Sequence, residues 1–181
     1  MPEQSSSAVR FEAAVLPHLP AAYNLARWLV RNDQDAEDVV QEAYLRAFKF
    51  FGGYRGGESR TWLLTIVRNT CYSWLQRNRS RELTESIDDA PEDVTADFAN
   101  PELRLMQNTD AQMVRAALTE LPLEFREVMV MRELEELSYK EIAAIADLPI
   151  GTVMSRLARG RERLHSLLAT RMGIETKGGA A

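Results

Sequence analysis

The chain has 181 residues, a formal net charge of −5 and 45% apolar residues, which is ordinary for a soluble protein of one or two domains. Its single cysteine, Cys71, cannot form an internal disulfide, and no stretch approaches the ~20 apolar residues of a membrane span. The first residues lack the basic and apolar segments of a signal peptide, so we expect a cytoplasmic protein without membrane insertion. Cys71, His18 and His165 lie too far apart in sequence for a metal motif, and no nucleophile or phosphate-loop motif is present. We therefore predict no metal, no cofactor and no enzymatic activity.

The negative charge is concentrated in one central segment. Residues 81–110 carry 9 acidic and 2 basic side chains, whereas residues 1–80 carry 10 basic and 8 acidic ones. Two arginine clusters lie on either side of this segment, in residues 50–80 and 151–171. Each cluster has five arginines and one glutamate. Because screening limits the reach of a charge to ~8–10 Å, such local clusters decide phosphate binding more than the net charge does.

The apolar spacing predicts an all-α chain, because strand-type alternation is absent. A first helical stretch covers about Val9–Arg31, with an interruption near Pro17 and Pro20. A second helix begins after the Asn-Asp pair at 32–33, with Asp33 or Asp35 as its N-cap. This helix should end before the glycine pair at 52–53.

A glycine-rich loop follows, and Ser59 is a suitable N-cap for a third helix from Arg60 to about Arg79. Intervals of 3, 1, 3 and 4 place five side chains on the core face of this helix: Leu63, Ile66, Val67, Thr70 and Trp74. The next segment, 81–107, has few apolar residues and many carboxylates, so we predict an acidic flexible linker. A second helical domain over 108–172 and a mobile tail over 173–181 complete the chain.

The second domain contains a helix-turn-helix pattern. Ser138 and Glu141 have the spacing of a capping box, at the start of a short helix over 139–146. A turn containing Pro149 leads into a longer helix that ends at about Leu168. Five side chains of this longer helix are predicted to face inward: Ile150, Val153, Leu157, Leu164 and Leu168. A short helix, a tight turn and an arginine-rich helix are typical of a motif that reads the DNA major groove.

Three segments resemble motifs of bacterial RNA polymerase sigma factors of the extracytoplasmic-function group, in the sigma-70 superfamily. Residues 35–48, DAEDVVQEAYLRAF, resemble the polymerase-binding helix. Residues 61–69 resemble the helix that reads the promoter −10 element, and residues 151–161, GTVMSRLARGR, the helix that reads the −35 element. The resemblance implies a region 2 domain over 8–80 and a region 4 domain over 108–172, joined by the acidic linker. It also implies a transcription initiation factor with three partners: core RNA polymerase, promoter DNA and an anti-sigma factor.

The resemblance assigns site residues to each of these partners. Core polymerase binding is expected at Asp35, Asp38, Gln41 and Glu42, because an acidic helix suits a basic partner surface. Capture of the opened −10 strand is expected at Tyr54, Arg55, Arg68 and Asn69, which combine an aromatic ring, an amide and cations beside a flexible loop. Recognition of the −35 duplex is expected at Thr152, Ser155, Arg156, Arg159 and Arg161.

Several alternatives remain open from the sequence. Trp62 is either part of the core or a wedge that helps to open the duplex. The acidic segment either threads a polymerase channel or is a plain linker. Finally, the chain could be a dimeric helix-turn-helix regulator of operators, or a helical scaffold without any role on DNA, although a scaffold leaves both arginine clusters unexplained.

Overall fold

The computed structural model describes residues 2–85 and 109–174, and all regular structure in these two ranges is helical. The predicted all-α fold is confirmed for this part of the chain. The chain divides into two compact units, built mainly of the helices before residue 86 and of those after residue 108. Among the described residues, no helix is long and apolar enough to cross a membrane. The predicted linker from 86 onwards lies outside the described residues.

The N-terminal unit consists of four α-helices and two 3₁₀ turns. Their bounds are α1 (Pro2–Val15), a 3₁₀ turn (Leu16–His18), α2 (Leu19–Val30), α3 (Asp33–Phe50), a second 3₁₀ turn (Phe51–Gly53) and α4 (Ser59–Glu85). Helices α2, α3 and α4 pack against one another. The predicted interruption is confirmed, because Pro17 lies in the first 3₁₀ turn and Pro20 in the first turn of α2. Helix α1 begins earlier than predicted.

An aromatic cluster holds α1 against α3. Phe11 is buried, and its ring meets the rings of Tyr44, Phe48 and Phe51 edge-on, with centroid distances of 5.0, 5.1 and 5.3 Å. Edge-to-face pairs of this kind add to the stabilisation that apolar burial alone provides. The cluster therefore fixes the end of α3, where the glycine-rich loop begins.

The prediction that Asp33 or Asp35 caps α3 is wrong. The N-cap is Asn32, whose side-chain oxygen accepts a 3.0 Å hydrogen bond from the backbone N–H of Asp35. Asp33 is the first helical residue, and its carboxylate pairs instead with the Nε of Arg27 at 2.8 Å. Both acidic residues still lie in the first turn, where the helix dipole favours negative charge.

Helix α4 is longer than predicted and its buried face is wider. It continues past Arg79 to Glu85, into the segment that the composition assigned to the linker. Ser59 is its first residue rather than its N-cap, and the Ser59 hydroxyl bonds the His18 ring instead, at 3.0 Å. Leu63, Val67 and Thr70 are buried as predicted, Ile66 and Trp74 are half-buried, and two further residues are buried: Leu64 and Cys71.

The C-terminal unit carries the predicted helix-turn-helix. Its elements are α5 (Thr109–Glu120), α6 (Leu123–Met129), a π-helical turn (Val130–Leu134), α7 (Tyr139–Ala146) and α8 (Ile150–Arg171). The single helix predicted from Leu123 to Leu134 therefore changes into a π-helical turn at Val130. Buried Arg126 donates hydrogen bonds to the carbonyls of Thr119 and Leu121, at 3.2 and 2.8 Å. These bonds satisfy carbonyls at the end of α5 and fix the break before α6.

The capping box is confirmed at both of its hydrogen bonds. The Glu141 N–H donates to the Ser138 hydroxyl at 3.1 Å, and the Ser138 N–H donates to the Glu141 carboxylate at 2.7 Å. In the turn that follows α7, Asp147 has a φ of 54°, a left-handed conformation that aspartate tolerates better than most residues. Helix α7 therefore begins and ends where the sequence predicts.

Close packing against α6 positions α8. A Cβ on buried Gly160 would lie 2.9 Å from Cγ of Met129, so any larger residue here would force the buried Met129 side chain to shift. At the end of α8, Arg171 pairs with Glu120. The Ile174 N–H bonds the carbonyl of Ala169 at 2.9 Å, so the ordered helix end includes two residues of the predicted tail.

Candidate nucleic-acid interface

Helix α8 has a buried face and an opposite outer face. Val153, Leu157 and Gly160 are buried, while Ser155 and Arg159 are exposed and Thr152 is half-buried. The Ser155 hydroxyl donates to the carbonyl of Thr152 at 3.1 Å, which holds this side chain near the helix backbone. The structure thus gathers these three predicted −35 residues on one side of a rigid helix.

The prediction that Ile150 faces inward is wrong. Its side chain is 46% exposed, because Ile150 is the first helical residue, directly after the N-cap Pro149, and lies ahead of the turns whose side chains are buried. Met154, one turn further on, is 53% exposed. Leu164 and Leu168, also predicted to face inward, are half-buried.

Carboxylates on α6 hold the predicted DNA contact Arg156. Its guanidinium lies 3.8 Å from Glu127 and 4.0 Å from Glu124, and 25% of its side-chain surface is exposed. Glu127 itself is completely buried. A buried carboxylate needs a nearby cation, so Arg156 balances the charge of the interior as well as facing solvent.

A second carboxylate restrains Arg161. Two of its nitrogens donate to one oxygen of Glu133, at 3.1 and 2.9 Å. Hydrogen bonds to Glu133 and Tyr139 raise the pKa of this guanidinium. Arg163 lies over the ring of Phe125 at 4.9 Å from the ring centroid. Arg159 is exposed on the outer face of α8.

In the N-terminal unit, aromatic rings order the loop before α4. Tyr54 stacks on Phe51 at 5.6 Å and tilts against Trp62 at 5.0 Å, and Trp62 meets Phe51 at 6.1 Å. The Tyr54 hydroxyl donates a 2.7 Å hydrogen bond to the carbonyl of Gly57, which has a φ of 96°. Trp62 is half-buried in this cluster, so it packs in the unit while keeping part of its surface accessible.

The other predicted −10 residues lie in the loop and on α4. Arg68 lies over the ring of Tyr72, 3.7 Å from its centroid, and donates to the side-chain oxygen of Asn69 at 3.5 Å. Asn69 and Arg55 are exposed. The loop and the first turns of α4 therefore offer aromatic, amide and cationic groups within one small unit.

The predicted polymerase-binding residues on α3 divide into two kinds. Asp38 and Gln41 are exposed, whereas Glu42 is half-buried and its two oxygens pair with Arg46 at 2.7 Å and Arg77 at 3.0 Å. The pair with Arg77 joins α3 to α4. Glu42 is therefore already neutralised by cations of its own unit.

Asp35 lies one turn before Asp38 on the same helix. Partial burial, together with the negative charge of Asp38, raises the pKa of the Asp35 carboxyl. Burial disfavours the ionised form, and a like charge nearby has the same effect. The ionised form of Asp35 is therefore less favoured than that of an exposed aspartate, mainly because of its partial burial.

Sequence reasoning missed the groups that hold the predicted residues in place. Glu127 and Glu133 restrain arginines of α8, and Phe51 supports the ring of Tyr54. The available signal for Glu127 was the apolar run Val128–Met131 that directly follows it, because a charged side chain packed among such residues needs a partner. Among the described residues, no cluster of His, Cys, Asp or Glu could hold a metal ion.

Comparison with known families identifies both units. Residues 14–81 match the model "Sigma-70 region 2", and residues 111–164 match "Sigma-70, region 4". The chain is 35% identical over 139 residues to the ECF RNA polymerase sigma-E factor of Escherichia coli, covering 73% of each chain. The chain belongs to the ECF sigma factors. Another member, SigE of Mycolicibacterium smegmatis, is 36% identical over 159 residues, which span 88% of this chain and 62% of that relative.

Solved structures agree with this assignment. This sigma factor resembles the sigma factor RpoE from Bartonella quintana in complex with the anti-sigma factor NepR, with a TM-score of 0.73 and 33% identity. The match covers 88% of this chain and 96% of that one. A second complex, of CnrH with the cytosolic domain of CnrY, shares the fold at a TM-score of 0.62 and 24% identity.

Proposed function

We propose that this sigma factor binds core RNA polymerase in the cytoplasm and directs it to promoters on the nucleoid. The observation that carries the proposal is the occurrence of both sigma regions in order, with arginine-bearing helices in each. In this proposal the sigma factor contributes binding, and the polymerase performs the chemistry. An anti-sigma factor would control it, as the complex of the related sigma factor RpoE suggests.

Polymerase binding is assigned to the start and middle of α3. Exposed Asp38 and Gln41 would contact the partner directly, with Asp35 beside them. Glu42 would contribute mainly by holding Arg46 and Arg77, because these two cations occupy its oxygens. We expect the double variant Asp38→Lys/Gln41→Lys to weaken polymerase binding more than tenfold, since like charges at an interface cost several kcal/mol. Titration of labelled core polymerase measures this, and unchanged affinity would remove α3 from the interface.

Promoter opening is assigned to the loop before α4. A base leaving the duplex needs an aromatic surface and an amide, and Tyr54 and Asn69 offer these beside Arg55 and Arg68. Because Tyr54 is bonded within the unit, capture of a base would use the ordered ring cluster as a platform. Binding of a −10 single-stranded oligonucleotide by the polymerase complex would test this assignment.

Duplex recognition is assigned to the outer face of α8. Arg159 would read a guanine edge, with Ser155 and Thr152 on base edges or phosphates. Arg156 and Arg161, each paired with carboxylates, would add charge toward the phosphates. The assignment depends on α8 entering the major groove as the second helix of the motif.

A gel-shift series on one promoter, with and without core polymerase, tests the proposal against its rivals. A sigma factor forms a promoter-specific complex with the enzyme and little or none alone. A dimeric regulator would bind the duplex tightly without polymerase and prefer a palindromic site. A scaffold would bind in neither arm, so each of these two outcomes contradicts the proposal.

A further inference from the structure

The outer face of α8 has two borders of different chemistry. At 3.6 residues per turn, positions 150, 154 and 158 follow one another along one border, and positions 152, 156, 159 and 163 along the other. The first border carries only apolar side chains: Ile150, Met154 and Ala158. The second border carries a hydroxyl and arginines: Thr152, Arg156, Arg159 and Arg163. Ser155 lies between the two borders.

The apolar border is open to solvent. Ile150 and Met154 are 46% and 53% exposed, and Ala158 is also exposed. Arg161, a cation near this border, is paired with Glu133 of the π-helical turn that follows α6. Exposed Glu162 follows Ala158 in the same row, so the apolar surface is confined to residues 150–158, directly beside the arginine border.

We infer that this apolar border contacts thymine methyl groups of the −35 element, with Met154 as the main specificity-determining residue. The C5 methyl of thymine is the apolar feature that a base pair presents in the major groove. Ile150 and Met154 lie in the first two turns of α8, the part of a recognition helix that reaches base edges. The inference rests on the proposed function, because it requires α8 to enter the groove.

Charge complementarity favours DNA over a protein as the occupant. The apolar border is continuous with a face whose opposite border has three arginines, and a negatively charged duplex would contact both borders together. Docking of an apolar protein segment would leave exposed Arg159 facing a surface without an anion, whereas a duplex supplies one. If a protein covered this border instead, replacing Met154 would not change the preference for thymine over uracil.

The test compares thymine with uracil, which lacks only the C5 methyl. Polymerase carrying this sigma factor first selects a −35 element from random duplexes, and each selected thymine is then replaced by deoxyuridine. We expect about fourfold weaker binding for each contacted methyl, which is ~0.8 kcal/mol of lost apolar burial converted at 1.4 kcal/mol per tenfold. Thymines outside the contact should show no change.

A matched pair of methionine variants locates the contact. At the position that Met154 contacts, Met154→Ala should bind thymine and uracil templates equally, because the truncated side chain no longer reaches the methyl. Met172→Ala removes the same side chain from a position that is 58% exposed at the far end of α8, and it should keep the full preference. Ile150→Ala should reduce the preference at a thymine neighbouring the one that Met154 contacts.

The possible results separate the inference from the proposed function. Selection of an element without thymine on either strand, or equal binding of thymine and uracil by the unaltered protein, overturns the inference and leaves the sigma function intact. If Met154→Ala retains the full preference at every thymine, the inference is overturned as well, and this is the result expected if a protein covers this border. Failure to select any element overturns the proposed function and the inference with it.

Discussion

The loop before α4 and the outer face of α8 are both assigned to DNA, yet they are built in different ways. In the loop, Tyr54 and Trp62 are held by ring contacts and by one hydrogen bond to a glycine carbonyl. On α8, carboxylates of α6 and the following turn restrain Arg156 and Arg161, while Arg159 projects outward. In the loop, the aromatic rings assigned to base capture therefore also hold the fold, whereas on α8 the exposed Arg159 can be removed without disturbing the packing.

The largest effect on stability is expected at Trp62. Trp62→Ala removes a half-buried ring that touches both Phe51 and Tyr54, and should lower the free energy of unfolding by roughly 2–3 kcal/mol. Phe50→Ala is the control, because that ring is 59% exposed. Urea unfolding followed by circular dichroism measures both. Equal losses for the two variants would show that the ring cluster does not order the loop.

Two arginines one turn apart on α8 should behave differently. Arg159→Ala should weaken promoter binding by the polymerase complex about 5- to 150-fold, the equivalent of ~1–3 kcal/mol for a bidentate base contact, without changing the unfolding free energy. Arg156→Ala should weaken binding and also destabilise the unit, because it leaves buried Glu127 with one cation fewer.

Binding titrations give the promoter affinity of each variant, and urea unfolding gives its unfolding free energy. If Arg156→Ala leaves the unfolding free energy unchanged, burial of the Glu127 carboxylate does not require the charge of Arg156. If Arg159→Ala destabilises the protein instead, the outer face is not the independent reading surface assigned here.

A smaller effect is expected for the hydroxyl of Tyr54. Tyr54→Phe removes the hydrogen bond to Gly57 but keeps the ring, and should cost about 0.5–1 kcal/mol of unfolding free energy. Binding of a −10 single strand should persist in this variant and fall in Tyr54→Ala, which lacks the stacking surface. Retention of single-strand binding by Tyr54→Ala would exclude this ring as the base platform.

The smallest effect is a pH dependence at Asp35. Because partial burial and Asp38 raise the pKa of Asp35 in the folded state, its contribution to stability is fully present below the unfolded value of ~3.9 and is lost as the pH rises through the folded value. Asp35→Asn should therefore be slightly more stable than the unaltered protein at pH 7. This advantage should shrink toward pH 4, and thermal unfolding across this range would show the trend, whereas a constant difference would contradict it.

Local signals predicted the helices well, and long-range contacts explain the differences. The capping box of Ser138 and Glu141 and the proline breaks are encoded by neighbouring residues, and both are found where expected. The sequence indicated Asp33 or Asp35 as the N-cap of α3, whereas Asn32 caps the helix and Arg27, on another helix, pairs with Asp33. Likewise, the acidic composition from residue 81 onwards predicted a linker, whereas α4 continues to Glu85.

The candidate site was predicted as a set of residues but not as an arrangement. Sequence spacing placed Ser155, Arg156 and Arg159 on α8, whereas the buried carboxylate facing Arg156 comes from α6 and has no local signature. The resemblance likewise assigned Glu42 to polymerase binding, although its pairing with Arg77 depends on how α3 packs on α4. Cross-helix charge pairs are set by tertiary packing, which periodicity does not encode.

The central claim is that this sigma factor makes polymerase promoter-selective through the outer face of α8. Run-off transcription with purified bacterial core polymerase tests it most directly, on templates with an intact or a scrambled −35 element. We expect one start site on the intact template, loss of that transcript on the scrambled template, and a matching loss with Arg159→Ala but not with Met172→Ala. Transcripts that are independent of the −35 element, or unaffected by Arg159→Ala, would contradict it.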